Sequence, residues 1–190
     1  MMFDAEPHAM SFPSLSTARL QLREITDADA PDPLRLHGNA EAMRWFGSDP
    51  PTDLAGARRL VEVFAGYRRQ AHPGIRWGLC LTHEPRLIGT CGLFARQAGW
   101  RKCTIGYELL PDHQGQGLMQ EALQAAMAWG HEHMNLHRIE ALVHPENLPS
   151  LRLLARLGFE QEGRLRDGAY WGGRFHDMLM LAHVRTPAAR

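Results

Sequence analysis

No stretch of this 190-residue chain approaches the roughly 20 consecutive apolar residues of a membrane-spanning helix. The N-terminal MMFDAEPHAM carries acids and lacks an apolar core of signal length, which argues against an export leader. The expected location is therefore the cytoplasm. Cysteine is scarce. Cys80, Cys91 and Cys103 are odd in number, have no CxxC spacing, and each falls in a strand-like run. They read as buried, reduced thiols rather than as a disulfide framework or a nucleophile with a partner base. An excess of charge is lacking too: Lys plus Arg and Asp plus Glu are 21 each, so no global basic field draws in nucleic acid. Eleven histidines and an arginine-rich C-terminal third leave only a local patch open.

What is present is an ordinary globular composition, 44% apolar and 22% charged, without a repeat or a linker. Residues 1–14 are polar and proline-spotted and are expected to be loose; 15–185 form one domain and 186–190 a tail. ARLQLREI alternates apolar and polar residues and predicts a strand over 18–25. TDADAPDPLRLHGN offers Thr26 or Asp27 as N-cap of an interrupted short helix, and NAEAMRWFG predicts a helical turn. Leu54, Ala57, Leu60, Val61 and Phe64 recur at helical spacing. GIRWGLCLT, RLIGTCGLFA and RKCTIGYELL predict an antiparallel meander, its first turn around His83 to Pro85. A helix follows with Leu118, Met119, Ala122, Leu123, Ala126 and Met127 on one face. HRIEALVH predicts a strand. NLPSLRLLARLGF predicts a helix with Asn147 as N-cap and Gly158 past its end. FEQEGRLRDG and HDMLMLAHV predict the last two strands. The pattern is that of one α/β domain.

The sharpest local feature is QGQGLM, residues 114–119, between the third meander strand and a helix. Two glycines at a helix start are costly unless the bare backbone is needed. The first-turn N–H groups have no partner within the helix, and the dipole adds about half a positive charge, so an anion fits there. A nucleoside triphosphate would want GxxxxGK, but no lysine follows Gly117. A dinucleotide would want a third glycine where Gln120 stands, and a parallel lead-in. The pyrophosphate of coenzyme A remains, as does a helix start with no ligand.

IGYELLPDHQGQGLMQEAL followed by HRIEALVHPENLPSLRLLARLGFEQEGRLRDG resembles the acyl-CoA-binding half of the GNAT superfamily of N-acetyltransferases. It resembles most the branch of ribosomal-protein N-terminal acetyltransferases, the RimJ/RimL type, as do TARLQLRE and NAEAMRWFG. The similarity spans about residues 16–184. The glycine motif, HPENLPS, LARLGF and EGRLRDG in this order are together specific. In the superfamily pattern (Q/R)xxGx(G/A), Gln114, Gly117 and Met119 hold the marked positions. Met119 departs from the pattern, and its side chain must turn aside from the ligand. The implied fold is the α/β (α+β) GNAT acyl-CoA N-acyltransferase fold, a mixed, mostly antiparallel sheet splayed at its centre and flanked by helices.

The resemblance also implies acetyl-CoA as cosubstrate, no metal, and direct transfer to a primary amine. The N–H groups of Gln114, Gly115, Gln116, Gly117, Leu118 and Met119 would cradle the pyrophosphate. The backbone of Glu108, Leu109 and Leu110 would pair with the pantetheine, and an N–H near Leu109 would serve the oxyanion. Many members use a tyrosine as the leaving group's donor at a position that here is Leu154. The residue matching the RimJ/RimL branch is Ser150, either donor to the thiolate or a first-turn serine bonded to backbone. Asn147 is the N-cap alone or also a pantetheine ligand. Glu108 and Glu140, on neighbouring strands, are candidate bases, acting directly or through a water, or else solvated or ion-paired strand residues. A glutamate found near Ala169 in that branch is absent.

HEHMNLH is not HExxH, and His131 and His133 face different ways, so no metal site is expected. Asp177 is expected to anchor the last hairpin. Trp45, Trp77, Trp100, Trp129 and Trp171 suit core or acceptor rim alike. The expected acceptor is a protein N-terminal α-amine, with a small-molecule amine as alternative and a non-catalytic acyl-CoA sensor as a third reading. Direct nucleic-acid and membrane partners are not expected. The oligomeric state, a homodimer included, is left open.

Overall fold

A computed structural model describes residues 11–38, 43–45 and 47–185 of the chain. The predicted helical turn over NAEAMRWFG and the tail 186–190 lie largely outside the described residues. Of the segment expected to be loose, residues 11–14 are tied down. The Trp77 indole N–H donates to the Pro13 carbonyl at 2.7 Å, and Phe12 packs edge-on against the Trp77 ring.

A two-residue edge strand, β1 (Leu15–Ser16), pairs with β2 (Leu20–Arg23). The alternation in LQLR buries Leu20 and Leu22 completely. β2 is shorter than the predicted 18–25 because the chain then turns at Thr26. There Asp29 accepts from the Thr26 N–H at 2.8 Å and pairs with Arg23 at 2.7 Å. α1 (Pro31–His37) begins on a proline, whose missing N–H costs nothing in a first turn. α2 (Leu54–Gly66) is capped by Asp53, which accepts from the Gly56 N–H at 2.6 Å.

β3 (Ile75–Leu81) and β4 (Glu84–Gln97) form a hairpin whose turn is Thr82–His83, earlier than predicted. Pro85 lies inside β4. It is tolerated because the register slips between Leu81↔Glu84 and Cys80↔Leu87, a bulge in which no ladder N–H is required of it. β5 (Lys102–Leu109) completes the meander. Next come α3 (Leu118–His133), β6 (Arg138–Val143), α4 (Leu148–Arg156), β7 (Glu160–Trp171) and β8 (Arg174–Val184).

The eight strands form one sheet in the order β1-β2-β3-β4-β5-β6-β8-β7. Every neighbouring pair is antiparallel except β5 with β6, whose parallel pairing needs the crossover that α3 supplies. β3 is buried almost throughout because both sheet faces are covered. Trp77 and Leu79 join the core that holds α3, while Cys80 joins Val61 and Phe64 of α2. The six residues predicted for the inner face of α3 are all buried. The three cysteines are free and buried, and burial pushes the Cys91 and Cys103 thiols up to about 12. No helix among the described residues is long and apolar enough to cross a membrane.

Candidate active site

β5 and β6 pair over only three residues each, Lys102↔Arg138, Cys103↔Ile139 and Thr104↔Glu140. Beyond that, β5 stays with β4 as far as Leu109, and β6 stays with β8 as far as Val143. The strands diverge into a fork. The Leu110 N–H donates to the Ile88 carbonyl of β4 at 2.9 Å, and the Leu110 carbonyl accepts from His113 at 3.0 Å. Successive peptide groups of a strand point to opposite sides, so Leu109 turns its backbone into the fork. Its carbonyl there accepts from Gln114 Nε2 at 2.9 Å. Of the backbone expected to meet a ligand, Leu109 faces the fork. Leu110 is committed to β4 and the turn, and the alternation turns the Glu108 backbone toward β4 as well.

A cleft of about 500 Å³ opens at the fork, bounded by the end of β5, the start of α3 and one face of α4. Gly115 and Gly117 have φ of +73° and +77°. A Cβ would meet nothing within 4 Å at Gly115 and only Arg19 at 3.6 Å at Gly117. No protein atom crowds either position, and the left-handed backbone is what calls for glycine within the fold itself. Gly117 is the N-cap of α3, and with no side chain to cap, the first-turn N–H groups stay open to the cleft. The loop is held from outside: Arg19 donates to the Gln116 carbonyl at 2.9 Å, and Gln116 Nε2 donates to the Asp112 carbonyl at 3.0 Å. Gln114, Gly115, Gly117, Leu118 and Met119 line the cleft, whereas Leu110 and Gln116 do not. Met119 is only 7% exposed and packs into the main core, so the motif's odd residue turns its side chain inward.

Across the cleft, Asn147 caps α4 by accepting from the Ser150 N–H at 3.2 Å. The Ser150 hydroxyl does not bind backbone. It lies 2.6 Å from the Tyr107 hydroxyl of β5. Burial pushes the Tyr107 phenol up to about 12 against the opposing effect of the Ser150 bond, so it keeps its proton at neutral pH.

The two glutamates are placed differently from one another. Glu108 lines the cleft but is buried in a ring of partners. Thr90 donates to its Oε1 at 2.8 Å, His37 Nε2 stands 2.8 Å from its Oε2, and Arg76 is at 3.6 Å. Burial alone would raise its pKa, but the neighbouring His37, Arg76 and Thr90 outweigh that and hold it below the usual carboxylate range. Glu140 is outside the cleft. It accepts from Arg138 at 2.7 Å and Lys102 at 3.1 Å, and these bonds overcome burial to hold it low as well. The fold does not bring the two carboxylates together, and each is already matched to cations.

Residues 19–160 match the family described as an acetyltransferase (GNAT) domain. The chain belongs to the GNAT acetyltransferase family. It is 36% identical over 174 residues to the uncharacterised N-acetyltransferase YoaA of Bacillus subtilis, covering 92% of this chain and 98% of that one. It is 37% identical over 181 residues to the ribosomal protein uS5-alanine N-acetyltransferase of Escherichia coli, covering 91% of each chain. Among solved structures, RimJ of Mycobacterium smegmatis in complex with CoA-disulfide superposes with a TM-score of 0.77 at 22% identity, over 91% of this chain and 86% of that one. The splayed sheet and the glycine-started α3 are thus the GNAT fold, and the protein is an acetyl-transferring enzyme.

Several residues of this GNAT cleft escape sequence reasoning. Tyr107 alternates with Glu108 along β5 and reads as an ordinary strand aromatic; only the packing of α4 against β5 gives its hydroxyl a partner. Arg152 and Arg156 of α4 line the cleft one helical turn apart. That i, i+4 spacing was visible in the sequence, but not which way the pair faces. Trp45, which suited core or rim alike on sequence, forms a wall of the cleft, stacked on His144 at 4.2 Å with the Arg44 guanidinium 4.5 Å over its ring. Among the described residues, no group of three or more His, Cys, Asp or Glu is arranged to hold a metal ion.

Proposed function

We propose that this enzyme transfers acetyl from acetyl-CoA to a protein N-terminal α-amine, acting in the cytoplasm. The fork supports this reading most directly: it leaves the Leu109 peptide group facing a cleft that ends at an open, glycine-started helix. In this reading the N–H groups of residues 114–119 hold the pyrophosphate. Arg152 and Arg156 supply cations for the remaining phosphate charge. Acetyl-CoA supplies the thioester. The Leu109 N–H is placed to meet the charge that develops on its carbonyl oxygen. Ser150 donates a hydrogen bond to the departing thiolate, and Asn147 keeps the start of α4 in place.

Neither glutamate suits the base, because the neighbours of Glu108 and Glu140 hold both carboxyls below the usual range and so weaken each as a proton acceptor. An α-amine, with a reference pKa near 8, is part neutral at pH 7 and loses its proton to water, whereas a lysine near 10.4 would not do so readily. This difference favours an N-terminus over a side chain as acceptor. The kinship with the uS5-alanine enzyme points the same way. The deciding experiment compares N-terminal peptides by mass spectrometry in cells with and without the protein. Loss of acetylation at a defined set of N-termini supports the reading. Unchanged N-termini, together with CoA release on adding small amines to the purified enzyme, would replace it with a small-molecule acceptor.

A further inference from the structure

We propose that Tyr107 is a positioning residue that aims the Ser150 hydroxyl at the sulfur of coenzyme A. The inference rests on the donor role given to Ser150 above and adds to it the group that makes that role workable. A serine hydroxyl has one hydrogen and two lone pairs. If Ser150 spends its hydrogen on a neighbour, nothing is left for a thiolate. Its neighbours decide the matter. The Ser150 N–H is taken by Asn147, and the hydroxyl's contact is the Tyr107 phenol at 2.6 Å. A phenol is the stronger acid of the two hydroxyls, and burial keeps this one protonated, so Tyr107 donates and Ser150 Oγ accepts. The serine hydrogen is then free to turn toward the cleft that both residues line.

The fold supports this division of labour. Tyr107 lies on the part of β5 that has left β6, packed against the main core, so its hydroxyl is held at the throat of the fork. Ser150 is in the first turn of α4, fixed by its cap. The tyrosine itself passes no proton to the substrate. It sets the direction of one hydrogen bond.

The test reads the thiol of bound CoA and needs no acceptor. The full-length protein is saturated with CoA, and the thiol's pKa is followed by ultraviolet thiolate absorbance. A hydrogen bond to the thiolate lowers that pKa. Ser150→Ala is expected to raise it by about one unit, the scale of one bond to a charged group. Tyr107→Phe, which keeps the ring, is expected to raise it similarly while CoA affinity is unchanged. The double variant is expected to go no higher than either single one. Fluorotyrosine at position 107, a stronger donor, is expected to lower it.

The outcomes separate cleanly. A raised pKa in Ser150→Ala with none in Tyr107→Phe overturns the inference and leaves the role of Ser150 standing. Additive shifts in the double variant overturn it also, because the two groups then act independently. No shift in Ser150→Ala removes both the donor role and the inference built on it.

Discussion

Arg19, one residue before β2, holds Glu121 in the first turn of α3, with Nε donating to Oε2 at 2.7 Å. The same carboxylate accepts from the Arg19 N–H at 2.9 Å and from Thr17 Oγ1 at 2.5 Å. Arg19 also reaches the Gln116 carbonyl, so one guanidinium ties the sheet edge to both the glycine loop and the helix it opens. Glu121→Ala removes three bonds to one charged group. We expect a loss of about 1–2 kcal/mol, since the site is part exposed and screening discounts the pairing. For a chain of this size that is a fall in Tm of roughly 2–8 °C, read by calorimetry. A rise in the KM for acetyl-CoA should accompany it. An unchanged KM with lowered Tm would mean that the loop keeps its shape without this tether.

Gly117→Ala tests the left-handed cap. A Cβ there has room, with its nearest neighbour at 3.6 Å, so the expected cost is conformational, about 1–2 kcal/mol. Gly117→Val should cost more and weaken CoA binding in a calorimetric titration, because a branched side chain stands where the phosphate would approach. Normal CoA affinity in the valine variant would remove the cradle from the mechanism.

Ser150→Ala is expected to lower kcat by one to two orders, about the lower part of the general-acid range, with little change in the KM for acetyl-CoA. The separation matters. Loss of both in proportion would mark Ser150 as part of the helix start, and an unchanged kcat would remove it from the chemistry.

Glu108→Ala should destabilise the fold by about 3–5 kcal/mol, the usual result of stranding one side of a buried ion pair. Its pH dependence has a definite sign. The folded pKa is depressed, so the carboxylate's stabilisation is fully present above the unfolded value of about 4.3 and is lost as pH falls through the lower folded value. Glu108→Gln should therefore flatten the stability curve on the acid side below about pH 4.3. A wild-type and variant difference that does not shrink on acidification would show that the charge is not what stabilises. Retained turnover in any folded Glu108 variant, measured above pH 7, would agree with its role as an anchored charge.

How far the sequence alone reached depended on the kind of information each element carried. The inner face of α3 could be read because helical periodicity is local, and the glycine start because positive φ and an open helix end leave a compositional trace. The turn after β3, expected around His83 to Pro85, falls at Thr82–His83, and only the pairing of β3 with β4 revealed a bulge that accommodates Pro85 within the strand. Met119 announced a departure from the motif but not its consequence; the core had to be assembled before a place for its side chain existed.

The local order of strands, helices and glycines, and with it membership of the GNAT family, was set by the sequence, since those signals lie within a few residues of one another. The tertiary structure decided which polar groups are free. Glu108 and Glu140 look alike as strand carboxylates, and their partners include residues as distant as His37, Arg76 and Lys102. Tyr107 and Ser150 are 43 residues apart in the chain and 2.6 Å apart in the fold. The charge and direction of a hydroxyl or a carboxylate depend on what surrounds it in three dimensions, and no spacing along the chain encodes that.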